Sequence, residues 1–155
     1  MIARLLCSAA LLMNVMPSGI AQEKQHSNEV PIVNVVQRYF DAWKRGDLAL
    51  MRTAIHPNAK IYNQAKDGSL KELPISKGFR TFAHVNSNEI ALSAAMRLVS
   101  VDVTGNVGFA KIEMIHSANH QDVRIVEYLT LMRFNDGWRI ISKVRSTQED
   151  TATSK

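Results

Sequence analysis

The stretch Tyr39–Ala59, YFDAWKRGDLALMRTAIHPNA, decides how the rest of the chain is read. Around its start, Val33, Val36, Phe40 and Trp43 recur at steps of three or four, with Val35, Tyr39 and Ala42 beside them. That period predicts an amphipathic helix opening at Val30. Gly46 stops it, and Asp47 is placed to cap a second helix by accepting from that helix's first amides. Leu48, Met51 and Ile55 form one face of this short helix. Pro57 ends it, because the residue before a proline avoids helical geometry. The Gly-Asp pair is therefore a helix–helix corner, and Tyr39, Trp43 and His56 on it could hold a ligand, move a proton or fill a core.

Downstream the period changes to two. KIYNQAKDGSLKEL predicts two short strands around an Asp67-Gly68 turn. SKGFRTFAHVN is a third helix, with Ser76 as its cap and Phe79 and Phe82 facing inward. Long strands follow in EIALSAAMRLVSVDVTG, NVGFAKIEMIHSAN and QDVRIVEYLTLMRFNDGWRIISKVRS, the last a pair joined at Asn135-Asp136-Gly137. This order predicts an α+β fold, a curved antiparallel sheet wrapped over about three N-terminal helices in a cystatin-like cone. Within 123–134, Val126, Tyr128, Thr130, Met132 and Phe134 share one face and Val123, Ile125, Glu127, Leu129, Leu131 and Arg133 the other. Both faces are largely apolar, whereas an antiparallel sheet with one wet face should alternate cleanly. One face covers the helices, and the other predicts a homodimer through the outer sheet face. A monomer whose chain ends wrap that face is the alternative.

Upstream, MIARLLCSAALLMNVMPSGIA has one early charge at Arg4, an apolar run from Leu5 to Met16, and small residues at Gly19 and Ala21. Residues 1–21 read as a cleavable signal peptide cut after Ala21, with an apolar run too short to span a bilayer. The expected location is secreted or periplasmic, with no membrane segment after cleavage. Residues 22–29 are then a flexible lead-in, 30–148 the folded domain and 149–155 a polar tail. The only cysteine, Cys7, leaves with the signal, so the mature chain has neither disulfide nor thiol nucleophile. Net charge is +5, with the basic residues scattered rather than clustered. That pattern is a solvated surface and excludes a nucleic-acid footprint.

VVQRYFDAWKRGDLALMRTAIHPNAKIY, LVSVDVTGNVGFAKIEM and VEYLTLMRFNDGWRIISKV together resemble the nuclear transport factor 2-like superfamily. More narrowly they are similar to the family labelled putative lumazine-binding, a neighbour of the polyketide-cyclase-like (SnoaL-like) proteins. The resemblance implies the cone fold and leaves activity open, since this fold hosts isomerases, dehydratases, cyclases, transport factors and binding proteins. Similar proteins that act as ketosteroid isomerases combine a general-base carboxylate with a tyrosine hydroxyl and a protonated aspartate. Here the tyrosine is matched by Tyr39, but the base position falls on Asn63 and the aspartate position on Thr130. An amide cannot abstract a carbon-bound proton.

Other groups offer little. His56 sits at the expected end of the second helix, where its ring can satisfy frayed carbonyls. His116 reads as a rim histidine, and His116 and His120 diverge across a strand and turn, so no metal site is expected. Glu127 should pair with an Arg or Lys on the next strand. No phosphate-cradling loop or nucleophile elbow is present, and no cofactor is implied. What remains is an apolar cone into which Tyr39, Asn63, Tyr128 and Thr130 put hydroxyls and an amide, with Trp43, His56, Tyr62 and His116 as further pocket residues. These predict a binding protein for a small apolar or aromatic molecule, with no catalytic residue. The alternative is an isomerase, cyclase or dehydratase using His56 or His116 with Tyr39.

Overall fold

In the computed structural model, residues 18–85, 95–118 and 121–149 are described. Helix α1 (Ser18–Arg45) begins upstream of the expected Val30 and runs through 22–29, where the polar sequence QEKQHSNE carries no apolar period by which a helix could be recognised. Its buried face is Ile32, Val35, Val36, Tyr39, Phe40 and Ala42, while Val33, expected inside, faces out. The helix ends in a Schellman arrangement: Asp47 N–H donates to Ala42 C=O at 3.0 Å and Gly46 N–H to Trp43 C=O at 3.3 Å. Gly46 takes φ 65°, a left-handed value that glycine adopts without a Cβ clash. Helix α2 (Leu48–Ala54) starts immediately, with Asp47 Oδ1 accepting from Leu50 N–H at 2.9 Å.

Strand β1 (Ile55–Gln64) opens directly after α2, so His56 and Pro57 lie in a strand rather than ending a helix. The pairing of β1 slips between Ile55 and Lys60, where Pro57 has no N–H to give a ladder. Strand β2 (Leu70–Pro74), helix α3 (Ile75–Val85) and strands β3 (Ala95–Thr104), β4 (Val107–Ala118), β5 (Gln121–Phe134) and β6 (Gly137–Glu149) complete the order. The sheet runs β2-β1-β6-β5-β4-β3. It is curved, unclosed and mixed: every neighbouring pair is antiparallel except β1 and β6, which are parallel. The α+β cone over three helices therefore stands, and the expectation of a wholly antiparallel sheet is corrected at that one seam.

The core lies between α1 and the concave face, where Ala110 and Ile112 of β4, Leu129 and Leu131 of β5 and Ile140 of β6 meet the helix. Gly108 lets α1 approach closely, because a Cβ there would sit 2.0 Å from Ile32 Cδ1. In β6 a bulge decides what faces inward. Thr130 pairs with Ser142 but Leu131 pairs with Ile140, leaving Ile141 as the extra residue. Trp138 and Ile140 are buried before the bulge, and Lys143 is buried after it.

Candidate ligand-binding site

That change of parity brings two basic side chains to the concave face beside Tyr39. Glu127 of β5 lies opposite Arg145 in the ladder, and Lys143 lies opposite Leu129. Glu127 is 0% exposed and Lys143 5%. The Tyr39 hydroxyl donates to Glu127 Oε2 at 2.8 Å and accepts from Lys143 Nζ at 2.5 Å. Arg145 donates from Nε and Nη2 to Glu127 Oε1 at 3.0 and 2.8 Å, and Lys143 Nζ stands 3.1 Å from the same oxygen. A carboxylate taken from water is tolerated only with such partners.

The electrostatics follow from this geometry. Burial pushes the Glu127 carboxyl up, but Lys143, Arg145 and the hydrogen bonds from Arg145 and Tyr39 outweigh it and hold the group below the usual carboxylate range. Burial pushes Lys143 down, and the repulsion of Arg145 adds to this against the pull of Glu127. Burial and the neighbouring Glu127 charge raise the Tyr39 hydroxyl, so it stays protonated as a donor.

Beside this cluster is a cavity of about 210 Å³ between α1, α3 and the concave sheet. Tyr39, Trp43, Asn63, Phe79, Lys143 and Arg145 contribute to its wall. Trp43 stands edge-on to Tyr39 at 6.4 Å and to Phe82 at 4.8 Å between ring centres, making a continuous aromatic side. Trp43 Nε1 lies near enough to the Tyr39 hydroxyl to favour its ionised form, yet the buried N–H has no hydrogen bond of good geometry.

Of the residues expected at a pocket, Tyr39, Trp43 and Asn63 come together here. Tyr128 and Thr130 do not: Tyr128 is 52% exposed, and Thr130 shares its outward face opposite Phe109. Buried Glu127, Leu129 and Leu131 show that the inward face of β5 is the other set, and the two cations compensate the charge that this buries. Tyr62 also faces out, beside Val144. His56 stacks on Phe134 with ring centres 4.8 Å apart, and its Nδ1 accepts from Asn58 N–H at 3.2 Å. It therefore bridges the bulged start of β1 instead of capping a helix. His116 lies opposite Val123 on β4, and its side chain is outside the described residues. Sequence reading anticipated the pairing of Glu127 with a basic residue on the next strand but missed Lys143 and Arg145 as cavity residues. Among the described residues no group of three metal-ligating side chains is present.

An open mixed sheet curved over three helices, with a cavity between them, defines a nuclear transport factor 2-like protein. The chain belongs to the family described as putative lumazine-binding, whose model matches residues 27–146. It is similar in structure to a nuclear transport factor 2-like protein of unknown function from Shewanella baltica OS155. The two share 22% identity and a TM-score of 0.67 over 79% of this chain and 94% of that one. A protein of the same description from Methylobacillus flagellatus KT is 24% identical, with a TM-score of 0.63 over 79% and 93% of the chains. The S. rosetta CaMKII hub is 19% identical, with a TM-score of 0.59 over 76% and 95%. At these identities the likeness establishes the fold alone. No curated protein matches the chain at a significant level.

Proposed function

We propose that the chain is an exported protein that holds a small, mostly apolar or aromatic molecule in this cavity without converting it. The observation that carries the reading is the cavity itself: an aromatic wall from Tyr39 through Trp43 to Phe82, closed at one end by convergent polar groups. An apolar cavity of about 150 Å³ is enough to take up benzene, so about 210 Å³ accommodates a substituted ring. The family's label agrees with a planar, ring-bearing ligand. A non-catalytic role is supported by Glu127, which takes donors on both oxygens and is held ionised below the range of a useful general base. The rival reading, an isomerase, cyclase or dehydratase using His56 or His116 with Tyr39, finds no support at His56, which is engaged with Phe134 and Asn58.

Export rests on the signal-like residues 1–21, and N-terminal sequencing of the exported protein should begin at Gln22. For the cavity, native mass spectra of protein purified under mild conditions should show added mass that is released on collisional activation. The variant Gly78→Leu should arrive without it, since Gly78 and Ile61 both line the cavity and a Cβ at Gly78 already reaches 2.8 Å from Ile61 Cδ1. Identical bare spectra from both proteins would sink the tight-binding reading.

Homodimerisation through the outer sheet face belongs to the same proposal. Lys111, Tyr128, Val144 and Tyr62 stand side by side across β4, β5, β6 and β1. On this face Phe109, Tyr128 and Val144, at 54%, 52% and 47% exposure, leave an apolar stripe facing water.

A further inference from the structure

We propose that the cavity, taken as the ligand site argued above, selects molecules bearing one carboxylate, seated at Lys143 and Arg145 with the apolar body against Trp43, Phe79 and Phe82. The argument is a census of charge and donors. The cluster holds two basic side chains, buried Lys143 and partly exposed Arg145, for one carboxylate, Glu127. A third basic residue, Lys77 of α3, also lines the cavity, and no Asp or Glu does so among the described residues.

Donors are likewise in surplus. An ammonium has three N–H groups and a guanidinium five. Tyr39 and Glu127 take two from Lys143, and Glu127 takes two from Arg145. Both cations converge on Glu127 Oε1 while Oε2 receives Tyr39, so one carboxylate serves three donor side chains. Trp43 adds a buried N–H with no partner on the same wall. A cavity with spare donors, spare positive charge and apolar sides is complementary to an acceptor-only, singly charged group on an apolar body. A neutral ring would leave those donors unmatched, and a cationic ligand would add a like charge.

The test compares two probes of one shape, phenylacetate and phenylacetamide, by isothermal titration of the mature protein at low salt. Phenylacetate should bind about tenfold or more tightly, the worth of one charge-assisted hydrogen bond. Raising the salt should weaken phenylacetate and leave the amide unchanged. Arg145→Met, which leaves Glu127 balanced by Lys143 alone, should narrow the gap between the two affinities, and Arg145→Lys should restore part of it. Should Arg145→Met not fold, the wild-type ratio and its salt dependence decide alone. If the amide binds as well as the acid or better, and Gly78→Leu abolishes both, the carboxylate preference is overturned while the cavity remains a ligand site. If neither probe binds, or both bind equally to Gly78→Leu, the ligand-site reading fails and the preference falls with it.

Discussion

Glu127 is a fully buried charge, and its three partners come from one neighbouring strand, β6, and from α1, a helix distant in sequence. Removing its charge with Glu127→Gln leaves Lys143 and Arg145 facing each other, so unfolding free energy should fall by about 3–5 kcal/mol, measured by chemical denaturation. The pH dependence has a definite sign. The folded pKa of Glu127 is depressed, so its stabilisation is fully present above the unfolded carboxylate value of about 4.3 and is lost as pH falls through the lower folded value. Melting temperature should therefore decline on the acid side of about pH 4.3, and that part of the slope should be absent in Glu127→Gln. Asp47 makes a smaller, local contribution: Asp47→Ala removes the acceptor for Leu50 N–H and should cost about 1 kcal/mol by the same assay. The cap was legible because Gly-Asp is a local signal acting over three residues. The Glu127 cluster was legible only as a pair across neighbouring strands, since the contribution of Tyr39 depends on how α1 lies across the sheet.

Between elements, the contact that sets α1 against β4 is Ile32 on Gly108. Gly108→Val should destabilise the fold by about 1–3 kcal/mol through overpacking. Because Ile32 Cδ1 is the atom in the way, Ile32→Val should offset part of that loss. The double variant should then lose less than the sum of the two single losses in equilibrium unfolding, the coupling expected of residues in contact. The helical period of α1 could be read from sequence, yet the buried face proved to be centred on Ile32 rather than Val33. A wide apolar stripe fits more than one rotation about the helix axis, and the sheet beneath chooses between them.

At the scale of the molecule, the outer face of the sheet is the open question for assembly. If the stripe of Phe109, Tyr128 and Val144 pairs two copies, Tyr128→Lys should convert a dimer to a monomer in sedimentation equilibrium, with little change in the melting transition of the isolated subunit. A wild-type protein that sediments as a monomer would remove the dimer from the proposal. The sheet itself joins a two-strand hairpin to a four-strand meander along β1 and β6, and those strands run parallel. Nothing local prescribes that direction, because β1 and β6 are brought side by side across all the intervening chain.

The sequence by itself determined the α+β order, the helix–helix corner at Gly46-Asp47, the hairpin turns and the pairing of Glu127 with a basic neighbour. Each is written in periods and caps that act within a few residues or across one turn. Tertiary structure alone decided which face of β5 is inside and which side chains of β6 reach the cavity. Counting by twos from Trp138 and Ile140 would send Lys143 and Arg145 to solvent and Val144 inward. One extra residue at Ile141 reverses that alternation, burying Lys143 and leaving Val144 exposed. A bulge depends on the register between two strands, which the whole sheet sets, so the charged end of the cavity became visible only in the folded molecule.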